Sequence, residues 1–181
     1  MSTREDQQSR KQQILEAAAA LFAERGYYKT TTADVARAVG VTQPYVFHFF
    51  KSKEELYLAV LEQASKEIYH AFESVEAPPE TLKEAMGQAF AKLLESHRDS
   101  ILLVMMSYAI PEPAVREFTR QCFDVVYDRL KDRFEQAGFP NPDDEASAFI
   151  GTGLVISLSE SVGLNKLLPA ACRASGHRPF A

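Results

Sequence analysis

The chain has 181 residues, 46% hydrophobic and 25% charged, with a net charge of −5; these values describe a globular protein with one sizeable core or a small domain joined to a larger one. The polar N-terminus MSTREDQQSRKQQ contains no apolar signal segment and the longest near-continuous apolar run, 101–110, is too short for a bilayer, so a cytoplasmic protein without a membrane partner is expected. Cys122 and Cys172 lack CxxC or Cys/His spacing, which argues against a disulfide framework, a zinc site or any metal cofactor.

The negative charge is unevenly spread. Through Leu56 the chain carries 8 basic and 7 acidic residues, against 12 and 18 in the remainder. An acidic body therefore leaves room for a phosphate-binding N-terminal part, where the placement of a few cations decides contact.

Helical periodicity dominates and no alternating strand signal occurs, which predicts an all-α fold. A first helix is expected to start at Ser9, whose spacing to Gln12 suits a capping box, to align Ile14, Leu15, Ala18, Leu21 and Phe22, and to stop at Gly26. A short second helix spans 33–39, opened by Thr31 or Thr32 and closed by Gly40, and a third spans 43–49, capped by Thr42 with Pro44 in its first turn. Ser52 and Glu55 open a long fourth helix carrying Leu56, Val60, Ala64, Ile68, Phe72 and Val75, which ends at APPE, 77–80.

A fifth helix carries Leu82, Met86, Phe90 and Leu94, and a nearly all-apolar sixth occupies 100–109 before Pro111 and Pro113. The seventh spans about 113–137 and ends at Gly138; the last begins at Asn141-Pro142 and continues to about Leu168. The tail AACRASGHRPFA is expected to be disordered or loosely docked.

Two short helices separated by VGVT and supported by a longer first helix have the layout of a helix-turn-helix, whose second helix enters the DNA major groove. Gly40 supplies the positive φ that a sharp turn needs, and Val41 can plug the gap between the helices. The stretch TTADVARAVGVTQPYVFHFFKSKEEL resembles the DNA-binding signature of the TetR family of bacterial transcriptional regulators: paired threonines, an IA..AGVS helix and turn, then LYHYF.SKEEL. The resemblance covers roughly residues 9–60. It implies an N-terminal three-helix DNA-binding domain, 1–52, followed by a helical ligand-binding and dimerisation domain, 53–181, with repression of a double-stranded DNA operator and a four-helix dimer bundle. Phe47 stands where the family usually has tyrosine, and Pro44 with Tyr45 replaces smaller residues, which predicts an atypical operator.

The residues themselves suggest roles. Thr31 and Thr32 can cap a helix and offer hydroxyls and backbone amides to phosphate, Thr42 caps the third helix beside the DNA, and Lys53, unfavourable for the dipole at a helix start, suits a nearby anion. Gln43 can pair with adenine, Tyr45 can meet a thymine methyl or phosphate, His48 can meet the backbone, and Pro44 joins the DNA-facing set beside them. Phe49 and Phe50 are assigned to the core.

In the larger part, Met86, Phe90, Met105, Met106, Tyr108, Phe118, Phe123 and Tyr127 suggest an adaptable apolar cavity, in which Glu160 or the tyrosines orient a polar group of a small-molecule effector. The small residues in FIGTGLVISLSES suggest a homodimer contact through Phe149, Ile150, Gly153, Leu154, Ser157 and Ser161. Two rival classes are a dimeric helical interaction protein with a purely structural helix-turn-helix and a helical enzyme. The four histidines show no HExxH spacing, and there is no glycine-rich phosphate loop or GxSxG.

Overall fold

The computed structural model describes residues 2–168; the expected disorder of the tail, with Cys172, falls outside them. The elements are α1 (Ser2–Lys29), α2 (Thr32–Ala38), α3 (Gln43–Phe49), α4 (Lys53–Glu73), α5 (Pro79–Met106), a 3-10 turn (Ser107–Ala109), α6 (Pro113–Gln136), α7 (Pro142–Val162) and a second 3-10 turn (Asn165–Leu167). No strand occurs among the described residues.

Helix α1 begins at Ser2 rather than Ser9, because Arg, Glu, Gln and Lys in this stretch all propagate a helix and nothing interrupts them. Gly26, at φ 76°, breaks the helix at the expected residue, and one further turn runs on to Lys29. Buried Thr30 closes the break by donating its hydroxyl to the carbonyls of Leu21 and Gly26, each at 3.0 Å. The fifth and sixth expected helices are one element, α5, kinked at His97, where φ −135° and ψ 38° leave the helical region. The Ser96 hydroxyl lies 2.8 Å from His97 Nδ1 at this kink.

The largest core runs without interruption from the N-terminal helices into the rest of the chain. Ile14, Ala18 and Phe22 of α1, Val35 of α2, Val46 of α3, Leu56 to Ile68 of α4, and Ile101 to Met105 of α5 belong to it. Helix α4 therefore serves both expected domains, its start packing on α1 and its later turns reaching α6. A smaller core joins α5, α6 and α7 through Leu82, Met86, Leu130, Phe134 and Ala146.

Candidate DNA-reading surface and effector cavity

The turn between α2 and α3 follows from a few local bonds. Thr31 caps α2 reciprocally: its hydroxyl oxygen accepts from the Asp34 amide at 3.1 Å, and Asp34 Oδ2 accepts from the Thr31 amide at 3.1 Å. The Thr31 hydroxyl also donates to Asp34 Oδ2 at 2.6 Å, and that bond first, then the Thr31 amide and Arg37, hold the Asp34 carboxyl below its ordinary pKa. At the other end Gly40 has φ 68°; its amide donates to the Arg37 carbonyl and that of Val41 donates to Ala36, a Schellman closure that only a residue at ease with positive φ completes without strain. Val46 is then fully buried under α3, and Phe50 seals the same core.

Helix α3 presents Gln43, Pro44, Tyr45, Phe47 and His48 to solvent. Gln43 Nε2 donates to Thr32 Oγ1 at 2.8 Å, which ties the first residue of α3 to the first of α2 and leaves one amide hydrogen and the carbonyl oxygen of the side chain to meet a base edge. Tyr45 and His48 both lean edge-on against half-buried Phe49, with centroids 5.4 and 5.2 Å apart. Their directions are set by packing before any partner arrives.

Three candidates sit differently from expectation. Thr32 is buried and accepts from Gln43, so its hydroxyl positions that side chain instead of facing phosphate. Thr42 occupies the cap position of α3 but makes no side-chain capping bond. Lys53 turns back into the protein: Nζ donates to the Tyr27 carbonyl at 3.0 Å and approaches that of Tyr28 at 3.5 Å, above the Tyr27 ring at 4.4 Å. The electronegative C-terminal end of α1 thus offsets the lysine's unfavourable place at the start of α4. Ser52 caps α4 as expected, while Glu55 accepts from the Lys51 amide, one residue earlier than a capping box requires.

A cavity of about 500 Å³ lies among α4, α5, α6 and α7. Phe90, Met105 and Phe123 of the expected set line it, together with Tyr69, Cys122 and Phe149. Apart from Thr152, its polar side chains fall in two places. Ser65, Tyr69 and Cys122 form one cluster, with the Ser65 hydroxyl 3.3 Å from Cys122 Sγ and the Tyr69 hydroxyl donating to the Cys122 carbonyl at 3.3 Å. Burial first, then the contacts with Cys122, push the Tyr69 pKa up and keep the phenol neutral. Lys83, Glu84, Gln88 and Glu145 form the other cluster, where Lys83 and Glu145 pair at 2.9 Å.

A family model described as bacterial regulatory proteins, tetR family, matches residues 14–60, the stretch that contains α2, the Gly40 turn and α3. Residues 14–60 are a TetR-family DNA-binding region, and the chain is a DNA-binding transcriptional regulator. It is 28% identical over 156 residues to the uncharacterized HTH-type transcriptional regulator YhgD of Bacillus subtilis, covering 82% of each chain. It is also 30% identical over 129 residues to the HTH-type transcriptional activator FasR of Mycolicibacterium smegmatis, covering 67% of this chain and 58% of FasR. The crystal structure of AibR in complex with isovaleryl coenzyme A and operator DNA matches with a TM-score of 0.68 at 22% identity, over 88% of this chain and 97% of that one, which establishes the shared fold. Among the described residues no helix is long and apolar enough to cross a membrane, and no group of three or more His, Cys, Asp or Glu could hold a metal ion.

The other expected cavity residues lie elsewhere. Met86 is fully buried in the smaller core, Phe118 packs against the larger one, and Tyr108 is 57% exposed. Met106 is half-buried at the end of α5, and Tyr127 donates to Asp143 at 2.9 Å on the outer side. Buried Glu160 faces Arg98, whose guanidinium donates to the Glu160 carbonyl at 3.1 Å, tying α7 to α5. The cavity residues that sequence reasoning passed over, Ser65, Tyr69 and Cys122, sit on apolar helix stripes, where nothing separates a lining residue from a packed one.

The expected dimer residues mostly face the protomer's own interior. Phe149 packs edge-on against Phe72 and Phe134, Ile150 and Gly153 line the cavity, Leu154 packs on the larger core, and Ser157 is fully buried with its hydroxyl on the Gly153 carbonyl. Ser161 alone of the set is exposed. The open side of α7 carries Val155, Leu158 and Val162, and α6 adds Val125, all between 38% and 56% exposed.

Proposed function

We propose that the protein is a ligand-responsive transcriptional regulator, a repressor that leaves its operator when a small apolar or amphipathic molecule fills the cavity among α4, α5, α6 and α7. The observation that carries this reading is the double role of α5 beyond the His97 kink. There Val104 and Met105 line the cavity, while Ile101, Leu102 and the same two residues share a buried core with Ile14, Ala18 and Phe22 of α1. A ligand that fits better when this segment shifts carries α1, and with it α3, out of register with the groove. Its effect on DNA equals its differential affinity for the two arrangements. AibR, a protein of the same fold, holds both a coenzyme A thioester and operator DNA, which supports two-ligand behaviour in this architecture.

In this reading residues 1–52 read DNA and 53–181 sense and dimerise, although the core is continuous between them. Gln43, Pro44, Tyr45 and His48 meet base edges and backbone; Thr42 offers its hydroxyl to phosphate; Thr31, whose hydroxyl donates to Asp34, holds the start of α2, and Thr32 and Lys53 hold the reading helix and its support in place. The exposed apolar side of α7, with Val125, is the two-fold contact that sets the spacing of the two reading helices. Selection from random duplexes tests the reading. A near-palindrome with half-site centres about 34 Å apart, or a multiple of that, is the expected product, and enrichment of no sequence at moderate salt overturns it. A reporter under that operator then separates repression from the activation carried out by FasR.

A further inference from the structure

The polar groups of the cavity are not interchangeable, because most of their hydrogens are already committed. The Ser65 hydroxyl donates to the Leu61 carbonyl at 2.7 Å, the Thr152 hydroxyl to Ala148 at 2.9 Å and the Tyr69 hydroxyl to Cys122 at 3.3 Å. Each bond goes to a backbone carbonyl, so what these hydroxyls have left to offer a ligand is oxygen lone pairs. With its hydrogen committed to Leu61, Ser65 meets Cys122 Sγ as acceptor of the thiol proton, so that thiol is spent as well.

The charges point the same way. Lys83 is the single cation among the described residues that line the cavity, and it is held by Glu145 at 2.9 Å and by the Phe139 ring at 5.3 Å. Glu84 and Glu145 together leave the polar rim with one more negative charge than positive. A ligand carboxylate or phosphate would leave water for a site with no uncommitted cation and few free donors, and a buried acceptor without a donor is costly.

We propose that the cavity selects an apolar molecule whose polar end donates hydrogen bonds, an alcohol or a protonated amine, and rejects carboxylates and coenzyme A thioesters. This rests on the effector reading above and narrows it to a ligand chemistry different from the thioester bound by AibR. The apolar body lies against Phe90, Met105, Phe123 and Phe149, and the donor end meets the oxygens of Ser65 and Tyr69. Burial and Cys122 keep the Tyr69 phenol protonated, so its hydrogen stays on the Cys122 carbonyl and its oxygen faces a ligand with lone pairs alone.

A matched series tests this: 1-decanol, decylamine, decanoate and decanoyl coenzyme A titrated calorimetrically into the full chain at neutral pH, below their aggregation limits. Decanol and decylamine should bind about tenfold or more tighter than decanoate and the thioester, the cost of one buried unpaired polar group. Decanoate or the thioester binding as tightly as decanol overturns the donor-end assignment and leaves the effector cavity standing. No binding by any of the four removes the effector reading and the proposal with it. A Ser65→Ala, Tyr69→Phe double variant should lose most of the preference for decanol over decanoate, and an undiminished preference in the folded variant assigns the acceptor to other residues and overturns the proposal; should that variant not fold, the wild-type series alone decides.

Discussion

Lys53 illustrates how a residue can carry a family signature and still be committed inward. Its ammonium bridges the last carbonyls of α1 and covers the Tyr27 ring, so its removal should first be felt as lost stability. Lys53→Met should lower unfolding free energy by about 1–3 kcal/mol, the range of a hydrogen bond from a charged donor, while the salt dependence of operator binding stays as in the parent chain. Denaturant unfolding and operator titrations at several salt concentrations check both halves; a salt slope reduced by about 1 per site would return the lysine to phosphate. Thr32 leads to a companion prediction. Thr32→Val keeps the buried shape but removes the oxygen that holds Gln43, so discrimination at the base that Gln43 reads should relax with little change in overall salt dependence. Selection repeated on this variant checks it, and an unchanged preference at every position would show that Gln43 needs no such support. Neither pairing was legible in the sequence, because both join residues 11 or more positions apart through side-chain directions that periodicity does not encode.

At the scale of elements the short-range signals served well and the long-range ones less so. Gly26, Gly40 and Gly138 each take the positive φ that their positions at helix breaks imply, and α3 occupies the expected 43–49. The kink at His97 has the sequence pattern of a gap between two helices, since the polar run before Ile101 looks like a loop when the i to i−4 bonds across it are unseen. Two glycines turn this into a prediction with opposite signs. Gly40→Ala puts a Cβ on a residue at φ 68° and should cost about 1–2 kcal/mol although nothing else stands within 4 Å. Gly87→Ala, in the helical interior of α5 with open cavity space beside it, should stabilise by about 0.5–1 kcal/mol while narrowing the cavity. Thermal unfolding of both variants checks the signs, and stabilisation by Gly40→Ala would contradict the turn described here.

For the whole molecule, the question is which side of α7 meets a second copy. Composition could not answer it, since both sides are apolar: Phe149, Ile150 and Gly153 turn inward, and Val155, Leu158 and Val162 turn out. The small residues that suggest close helix approach do mark one, but within the protomer, where a Cβ at Gly153 would stand 3.4 Å from Met105 Cε. The two sides therefore fail differently. Leu158→Glu puts a charge on a residue that is 41% exposed in the single chain, so the protomer should fold with its stability little changed while the dimer weakens and operator affinity falls with it. Gly153→Leu should instead overpack the contact with Met105, lowering stability by about 1–3 kcal/mol and altering the cavity before it touches association. Sedimentation, unfolding and DNA titration on both variants separate the cases. A Leu158→Glu chain that stays dimeric with normal operator affinity would place the two-fold contact away from the open side of α7, and the exposed valines there would then need another partner.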